Sequence, residues 1–331
     1  MTTKVYVTDF VNDELEPERK IFGDIANVIA VNAKSQDDLF GVIEDADALM
    51  VYHMIHVDQK LINQLNHCKI IVRCGVGFDN IDYKFAAEQG IPVSNVPDYG
   101  TEDVADSALG MALTLTRGIH FLNSRLRASI GQWHYTQASF VRRLRGKVFG
   151  IVGLGRIGTA AALRAKAFGM DVVFYDPYRS SGTERSLGIR RSESLQELMS
   201  QSKVLSLHCP LTDETRHLIN RDSLSWMPQG SYLVNTARGA VVNTNDLPGA
   251  IATGQLAGAG IDVLDVEPPP EDDPLLVAWR DPNHPCHDRV IVNPHSAFYT
   301  VEGLTDMRIK GSTACRRAIL GEPIPNVVNG L

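Results

Sequence analysis

The chain has 331 residues, 44% of them hydrophobic, and a formal net charge of −7. That length suggests about two domains, and the acidic balance argues against a general nucleic-acid surface. No apolar run is long enough to span a bilayer, the N-terminus enters Val5-Tyr6-Val7 with no signal-peptide pattern, and five scattered cysteines without a CxxC pair indicate reduced thiols in a cytoplasmic protein.

Over residues 1–100 short apolar runs alternate with polar helical stretches. Strands are predicted at Val5–Thr8, Asn27–Val31, Ala48–Tyr52, Ile70–Arg73 and Ile91–Ser94, and helices over 36–45, 58–66 and 82–89. That is a parallel α/β domain in its own right. Tyr99-Gly100-Thr101-Glu102-Asp103 reads as a loop and N-cap with acids in the first turn. One long helix is predicted from there to about residue 127, because Val104, Ala108, Met111, Ala112, Leu115 and Ile119 fall at helical spacing.

A second α/β unit runs from about 146 to 296. Val148-Phe149-Gly150-Ile151-Val152 reads as a buried strand and leads into Gly153-Leu154-Gly155-Arg156-Ile157-Gly158. Strong helix formers follow over 159–168, and a second apolar run, Val172–Tyr175, ends in Asp176. Strand, glycine turn, helix, strand and acid make up the dinucleotide-binding fingerprint. Gly153 permits the tight turn, Gly155 lets the backbone approach a pyrophosphate, and Gly158 lets helix and strand pack closely. The helix start offers N–H groups and partial positive charge to the phosphates. Asp176 can accept both hydroxyls of the adenosine ribose and would repel a 2′-phosphate, so NAD(H) is expected over NADP(H). Further strands are predicted at Val204–His208, Tyr232–Asn235, Gly260–Leu264 and Val290–Val292, and a final helix over 300–320 is expected to cross back onto the first domain. The expectation is two doubly wound parallel-sheet lobes with a cleft between them. A substrate domain of residues 1–100 and 298–331 receives a nucleotide domain of residues 101–297 as an insertion.

Three later segments place polar groups at the carboxyl ends of predicted strands, the edge where open α/β sheets bind ligands. They are Val234-Asn235-Thr236-Ala237-Arg238-Gly239, Ile261-Asp262-Val263-Leu264-Asp265-Val266-Glu267-Pro268 and Val292-Asn293-Pro294-His295-Ser296. Reduction of a 2-keto acid by a nicotinamide needs a cation for the carboxylate and carbonyl, a proton donor for the oxygen, and a group that keeps the donor charged. Arg238 suits the first role, since guanidinium binds carboxylate bidentately. His295 suits the second, since imidazole titrates near neutral pH. Glu267 suits the third, since a hydrogen-bonded carboxylate favours imidazolium and orients the ring.

These residues, together with Arg73-Cys-Gly-Val-Gly-Phe-Asp-Asn-Ile-Asp82, Leu163-Arg-Ala-Lys-Ala-Phe-Gly169, Phe174-Tyr-Asp-Pro-Tyr178, Leu207-His-Cys-Pro-Leu211, Leu233-Val-Asn-Thr-Ala-Arg-Gly239 and Asn293-Pro-His295, carry a resemblance. Over nearly its whole length the chain resembles the D-isomer-specific 2-hydroxyacid dehydrogenase family, and within it the C-terminal-binding-protein (CtBP) branch. The resemblance implies that Arg238, Glu267 and His295 are the catalytic arginine, glutamate and histidine. It implies that the Gly75-Val76-Gly77 turn, through Val76 and Gly77, holds the substrate carboxylate beside Arg73. It places Asp262 on the nicotinamide carboxamide, Thr236 and Ala237 along the nicotinamide, and the loop from His208, Cys209 and Pro210 to Thr215 beneath the adenosine, with Arg156 and Ile157 in the phosphate turn. The region 120–145 resembles an arm through which relatives form homodimers. The cofactor implied is NAD(H), and the substrate a small 2-keto or 2-hydroxy acid.

The stretch from Glu267 to His295 is longer than is usual in that family. It holds His284, Cys286, His287 and Asp288, whose compact spacing is poor for tetrahedral closure, so a solvent-exposed loop is expected and no metal site. Phe298 stands where the CtBP branch has a tryptophan facing substrate, and His53 is a further candidate substrate contact. The alternative to an enzyme is a CtBP-like NAD(H)-sensing interaction protein of corepressor type. The chain's end at Leu331, shortly after the last helix, favours the enzyme. Glu267 argues against a formate-type dehydrogenase, where the resemblance would call for glutamine.

Overall fold

A computed structural model describes residues 3–331, which divide into two units, one of residues 3–100 with 299–331 and one of residues 101–298. In the first unit five strands, β1 (Lys4–Val7), β2 (Asn27–Ala30), β3 (Ala48–Val51), β4 (Ile70–Arg73) and β5 (Val93–Asn95), pair in the order β2-β1-β3-β4-β5, all parallel. β3 and β4 are buried along their whole length, as central strands covered on both faces must be. The strand order reverses between β1 and β3, the flavodoxin-like arrangement.

The second unit holds seven parallel strands: β6 (Val148–Val152), β7 (Asp171–Tyr175), β8 (Arg190–Arg191), β9 (Val204–Leu207), β10 (Ser231–Asn235), β11 (Leu256–Ile261) and β12 (Val290–Val292). Their order is β12-β11-β10-β9-β6-β7-β8, a Rossmann sheet with one further strand. The glycine turn leaves β6 at the point where the order reverses. Helix Arg156–Ala167 follows at once, starting at Gly155.

Several elements differ from the expectation. The long helix is two helices, Thr101–Thr116 and Ile119–Arg127. Gly118 stands between them with φ 65° and ends the first helix as a left-handed residue. Val104, Ala108, Met111, Ala112 and Leu115 are buried as the spacing requires, but Ile119 lies past the break and is 57% exposed. Of 36–45 only Gln36–Leu39 is helical, as a 3₁₀ turn stopped before Gly41 at φ 80°, and 58–66 is reduced to Gln59–Ile62. Helix Glu16–Phe22 and edge strand β8 were not anticipated. The expected strand Gly260–Leu264 begins at Leu256 and ends at Ile261. The 279–288 stretch is not a simple exposed loop: it joins helices Pro274–Arg280 and Cys286–Arg289, with Leu275, Leu276 and Cys286 in the core and Asp288 3.3 Å from Arg125. Among the described residues no group of His, Cys, Asp and Glu side chains is placed to hold a metal ion, and no helix is long and apolar enough to cross a membrane.

The last helix, Val301–Leu320, packs in the first unit against helix Glu16–Phe22 and strands β3 and β4. Its anchor is Arg308, 7% exposed. Nε and Nη2 donate to fully buried Glu18 at 2.6 and 2.7 Å, and Nη1 and Nη2 donate to Asp13 at 2.6 and 2.8 Å. These bonds hold the Asp13 carboxyl below its usual pKa. A carboxylate bonded in the folded state adds stability above its unfolded pKa of about 3.8 and loses it as pH falls through the lower folded value. Replacing Arg308 by Met strands the Glu18 charge in the core and should cost about 3–5 kcal/mol. Pairing it with Glu18→Leu should restore most of that loss. Chemical denaturation of the two single variants and the double variant checks this, and strict additivity would show that the pair does not act as a unit.

Candidate active site

The backbone register of the second unit brings distant segments to one line. Tyr175 pairs with Val152, Val152 with Leu207, Leu207 with Asn235, Asn235 with Ile261, and Ile261 with Val292. One residue beyond that row stand Asp176, Gly153, His208, Thr236, Asp262 and Asn293, along the carboxyl edge of the sheet. At roughly 4.8 Å per strand the row is about 24 Å long.

At its centre the glycine turn is built by close approaches. Gly153 has φ 87°, and a Cβ there would stand 2.7 Å from the Cys209 nitrogen; a Cβ on Gly158 would stand 2.1 Å from the Gly153 carbonyl oxygen. The protein's own packing therefore demands both. Gly155 is different: its φ is −73°, and a Cβ would meet nothing nearer than the Arg179 Nη2 at 4.0 Å. The space kept open in front of Gly155 lies at the start of a 12-residue helix, where a pyrophosphate would approach the backbone amides.

Asp176 closes the β7 end. Its Oδ2 accepts from Leu154 N of the glycine turn at 2.8 Å, and its Oδ1 from Tyr178 N at 2.9 Å. The acid is thus fixed to the glycine turn. The Tyr178 hydroxyl in turn donates to Glu214, tying this turn to the 209–215 loop. Within that loop Thr215 Oγ1 donates to the Pro210 carbonyl at 2.6 Å and accepts from Thr212 N at 2.8 Å. Burial pushes the pKa of the His208 imidazole down to about 4 and that of the Cys209 thiol up to about 11, so both are neutral at physiological pH. His208 Nε2 lies 2.9 Å from Ser206 Oγ.

After β10, Asn235 holds the next turn. Its Oδ1 accepts from Ala237 N at 3.1 Å and its Nδ2 donates to the Arg238 carbonyl at 2.9 Å. Arg238 Nη1 reaches back to the Ala237 carbonyl at 2.9 Å. Gly239 then passes so close to the β11 exit that a Cβ would lie 1.9 Å from the Leu264 carbonyl carbon, which draws the Arg238 turn against the segment leading to Glu267. Thr236 is 8% exposed, and its Oγ1 is buried without a hydrogen-bond partner. An unsatisfied hydroxyl at this edge fits a site made to take an amide or ribose group from a bound nucleotide.

The β11 and β12 exits interlock. Asp262, 2% exposed, accepts from Ser296 N at 2.9 Å and from Ala297 N at 3.1 and 3.0 Å, while its carbonyl accepts from His295 N at 2.7 Å. Burial raises its pKa, offset in part by those amides and by His295. The bonds hold His295 at φ 50°, a left-handed conformation uncommon outside glycine. His295 Nδ1 meets Glu267 Oε2 at 2.6 Å, and Glu267 Oε1 accepts from Leu264 N at 2.8 Å. Phe298 presents its ring edge-on to His295 at 6.1 Å. Glu267 and His295 are therefore joined directly, and the backbone turn that carries Arg238 is drawn against the β11 exit that leads to Glu267.

The remaining candidates belong to the first unit. The Arg73 guanidinium is buried, donating to the Cys74 carbonyl at 2.7 Å and lying 3.5 Å from Asn80 Oδ1. The Val76 carbonyl accepts from Asn95 Nδ2 at 2.6 Å, and Gly77 follows it out of the same turn. His53 follows β3, its ring 4.7 Å from Phe10. Residue-type reasoning passed over Asp9, fully buried, which accepts from Tyr52 N and Met54 N at 2.9 Å each, and Asn80, which donates to the carbonyls of Tyr52 and Ile55. Both clamp the segment that carries His53. The signal for Asp9 was present: an acid just past an apolar strand, as at Asp176. Asn235 lies within the Leu233–Gly239 segment, but nothing in its type marks it as the turn's fastener.

Residues 109–297 match the family model described as D-isomer specific 2-hydroxyacid dehydrogenase, NAD binding domain. C-terminal-binding protein 1 of Caenorhabditis elegans is 38% identical over 309 residues, covering 92% of this chain and 42% of that protein. D-3-phosphoglycerate dehydrogenase of Methanocaldococcus jannaschii is 34% identical over 326 residues, covering 98% of this chain and 59% of that protein. The chain thus spans about half the length of these curated relatives. Among solved structures, TT0316 protein from Thermus thermophilus superposes with a TM-score of 0.85 at 31% identity, over 98% of this chain and 100% of the other. D-lactate dehydrogenase from Aquifex aeolicus, complexed with NAD and lactic acid, gives 0.85 at 28%, over 99% of each chain. A glyoxylate reductase from Paecilomyes thermophila gives 0.85 at 28%, over 99% and 98%. The chain belongs to the D-isomer specific 2-hydroxyacid dehydrogenase family, and its second unit carries the NAD-binding domain of that family.

Proposed function

We propose that this protein is an NAD(H)-dependent oxidoreductase interconverting a small 2-keto acid and its D-2-hydroxy acid. The observation that carries the proposal is the 2.6 Å pair of His295 Nδ1 and Glu267 Oε2 on the nicotinamide side of the nucleotide edge. When bound, NAD(H) would supply or accept the hydride at the substrate's C2. His295, oriented through Nδ1, gives its Nε2 proton to the carbonyl oxygen in reduction and takes the hydroxyl proton in oxidation. Glu267 holds the ring and balances its charge. Arg238 takes the carboxylate and polarises the carbonyl. The Val76 and Gly77 amides of the first unit are assigned to the carboxylate in the same proposal, with Arg73 bracing their turn and His53 and Phe298 as substrate neighbours. The D configuration of the product is supported by the family description. Asp262, Thr236 and Ala237 serve the nicotinamide, and Asp176 with the 208–215 loop serves the adenosine.

A second reading, an NAD(H)-sensing interaction protein, is favoured by the 38% identity to C-terminal-binding protein 1. NADH oxidation with glyoxylate, hydroxypyruvate and bulkier 2-keto acids separates the two. Turnover with at least one acid is expected; tight NADH binding with no turnover on any of them favours the interaction protein. His295→Ala should lower kcat by about 10²–10⁴-fold and leave the NADH Kd nearly unchanged. A variant with parental kcat removes His295 from the mechanism.

We also propose that residues 120–145 form the contact of a homodimer. Helix Ile119–Arg127 has no buried residue, and beyond it Ile130, Trp133 and Tyr135 are 46%, 88% and 79% exposed, an apolar group that a lone subunit rarely shows to water. Sedimentation should give twice the chain mass for the parent and a single chain mass for Trp133→Glu with Tyr135→Glu. A variant that stays dimeric places the interface elsewhere.

A further inference from the structure

The sequence expectation rests NAD(H) preference on the charge of Asp176 alone. The structure adds a second charge to that site. Asp176-Pro177-Tyr178-Arg179 is a β-turn, with Arg179 N donating to the Asp176 carbonyl at 3.4 Å, an acid in the first position and proline in the second. The turn folds the Arg179 side chain back over the acid: its Nε lies 3.8 Å from Asp176 Oδ2, and its Nη2 lies 4.0 Å from where a Gly155 Cβ would stand. The guanidinium therefore stands between the ribose acid and the phosphate turn.

That placement is built from below. Arg191, on edge strand β8, donates through Nη2 to the Arg179 carbonyl at 2.6 Å and to the Ser180 carbonyl at 3.3 Å. Arg191 is itself seated on the Phe174 ring at 5.2 Å, with Glu184 3.8 Å from its Nε. The Asp176 carboxylate already accepts from Leu154 N and Tyr178 N, so it is locked in place. Arg179 faces Asp176, Glu214 accepts from the Tyr178 hydroxyl, and the Glu184 carboxylate lies beside Arg191. Arg179 is 44% exposed along its side chain and free to swing toward an added anion, which guanidinium binds through paired hydrogen bonds.

We propose that Arg179 is a specificity-determining residue of the nucleotide site, which receives a 2′-phosphate and lets the site bind NADPH as well as NADH. Asp176 binds the ribose hydroxyls of NADH. With NADPH, Arg179 leaves the carboxylate for the 2′-phosphate and offsets the repulsion that Asp176 alone would exert.

Direct binding titrations of the full chain, following NADH and NADPH fluorescence, test this without reliance on turnover. The parent should bind both nucleotides. Arg179→Leu should weaken NADPH by about tenfold or more, the factor expected for one charge-assisted hydrogen bond, and leave NADH within about twofold. Arg179→Lys should fall between the two, since lysine keeps the charge but loses the fork. Asp176→Asn should weaken NADH and move the ratio of the two Kd values toward NADPH. Equal weakening of both nucleotides by Arg179→Leu, a contact with the shared pyrophosphate, overturns the proposal, as does a parent that binds NADH but not NADPH. A parent that binds neither overturns the nucleotide assignment itself.

Discussion

Parallel strand register is the constraint from which the nucleotide unit follows. Because Tyr175, Val152, Leu207, Asn235, Ile261 and Val292 share one row, each strand must release its chain at the same edge. The residues that follow then share one surface although they come from positions 153 to 293. A slip of one residue in any pairing would turn that strand's exit side chain to the opposite face. The apolar packing that fixes register, with β9 and β10 buried throughout, therefore also fixes where an acid, a hydroxyl and an imidazole can stand.

Close backbone approach converts that shared edge into a site. Gly158 against the Gly153 carbonyl brings the helix start onto the β6 exit, and Gly239 against Leu264 brings the Arg238 turn onto the β11 exit. A side chain at either place would push the segments apart and spoil the spacing of groups that act together. Gly155 serves a different end, because its missing side chain leaves room that no protein atom fills.

What could be read from residues alone divides along the same physical line. Strand-end acids and the histidine were legible because apolar run, turn and polar residue lie within a few positions, as at Val172–Asp176 and Val292–His295. The glycine turn was legible for the same reason. Helix Glu16–Phe22 was not, being seven residues long and rich in charge; its place depends on Arg308, 290 residues away from Glu18. Strand β8 consists of two arginines and carries no apolar signal, since it adds only an edge to β7. The break at Gly118 was obscured because apolar spacing continues through Ile119, and only a left-handed glycine marks the turn. Asn235, Asp9 and Arg179 escaped notice because they act on the backbone or on another side chain next to them, and such service has no characteristic spacing.

The strain at His295 shows how these levels combine. A histidine at φ 50° persists only where its surroundings over-determine it. Asp262 provides that by holding residues 295, 296 and 297 through its carbonyl and carboxylate, and Glu267 holds the ring from the same β11 exit. The ring's direction is thus set by one segment acting through both its backbone and its side chains. Asp262 stands in the row at the carboxyl edge of the sheet, so a single buried acid links that edge to the orientation of the imidazole. Loss of that acid would free the 295–297 turn before it touched the sheet, because β11 and β12 keep their own ladder at Ala259–Val290, Gly260–Ile291 and Ile261–Val292. The fold and the chemical pair are therefore separable at Asp262, and it is the pair, not the sheet, that depends on its carboxylate.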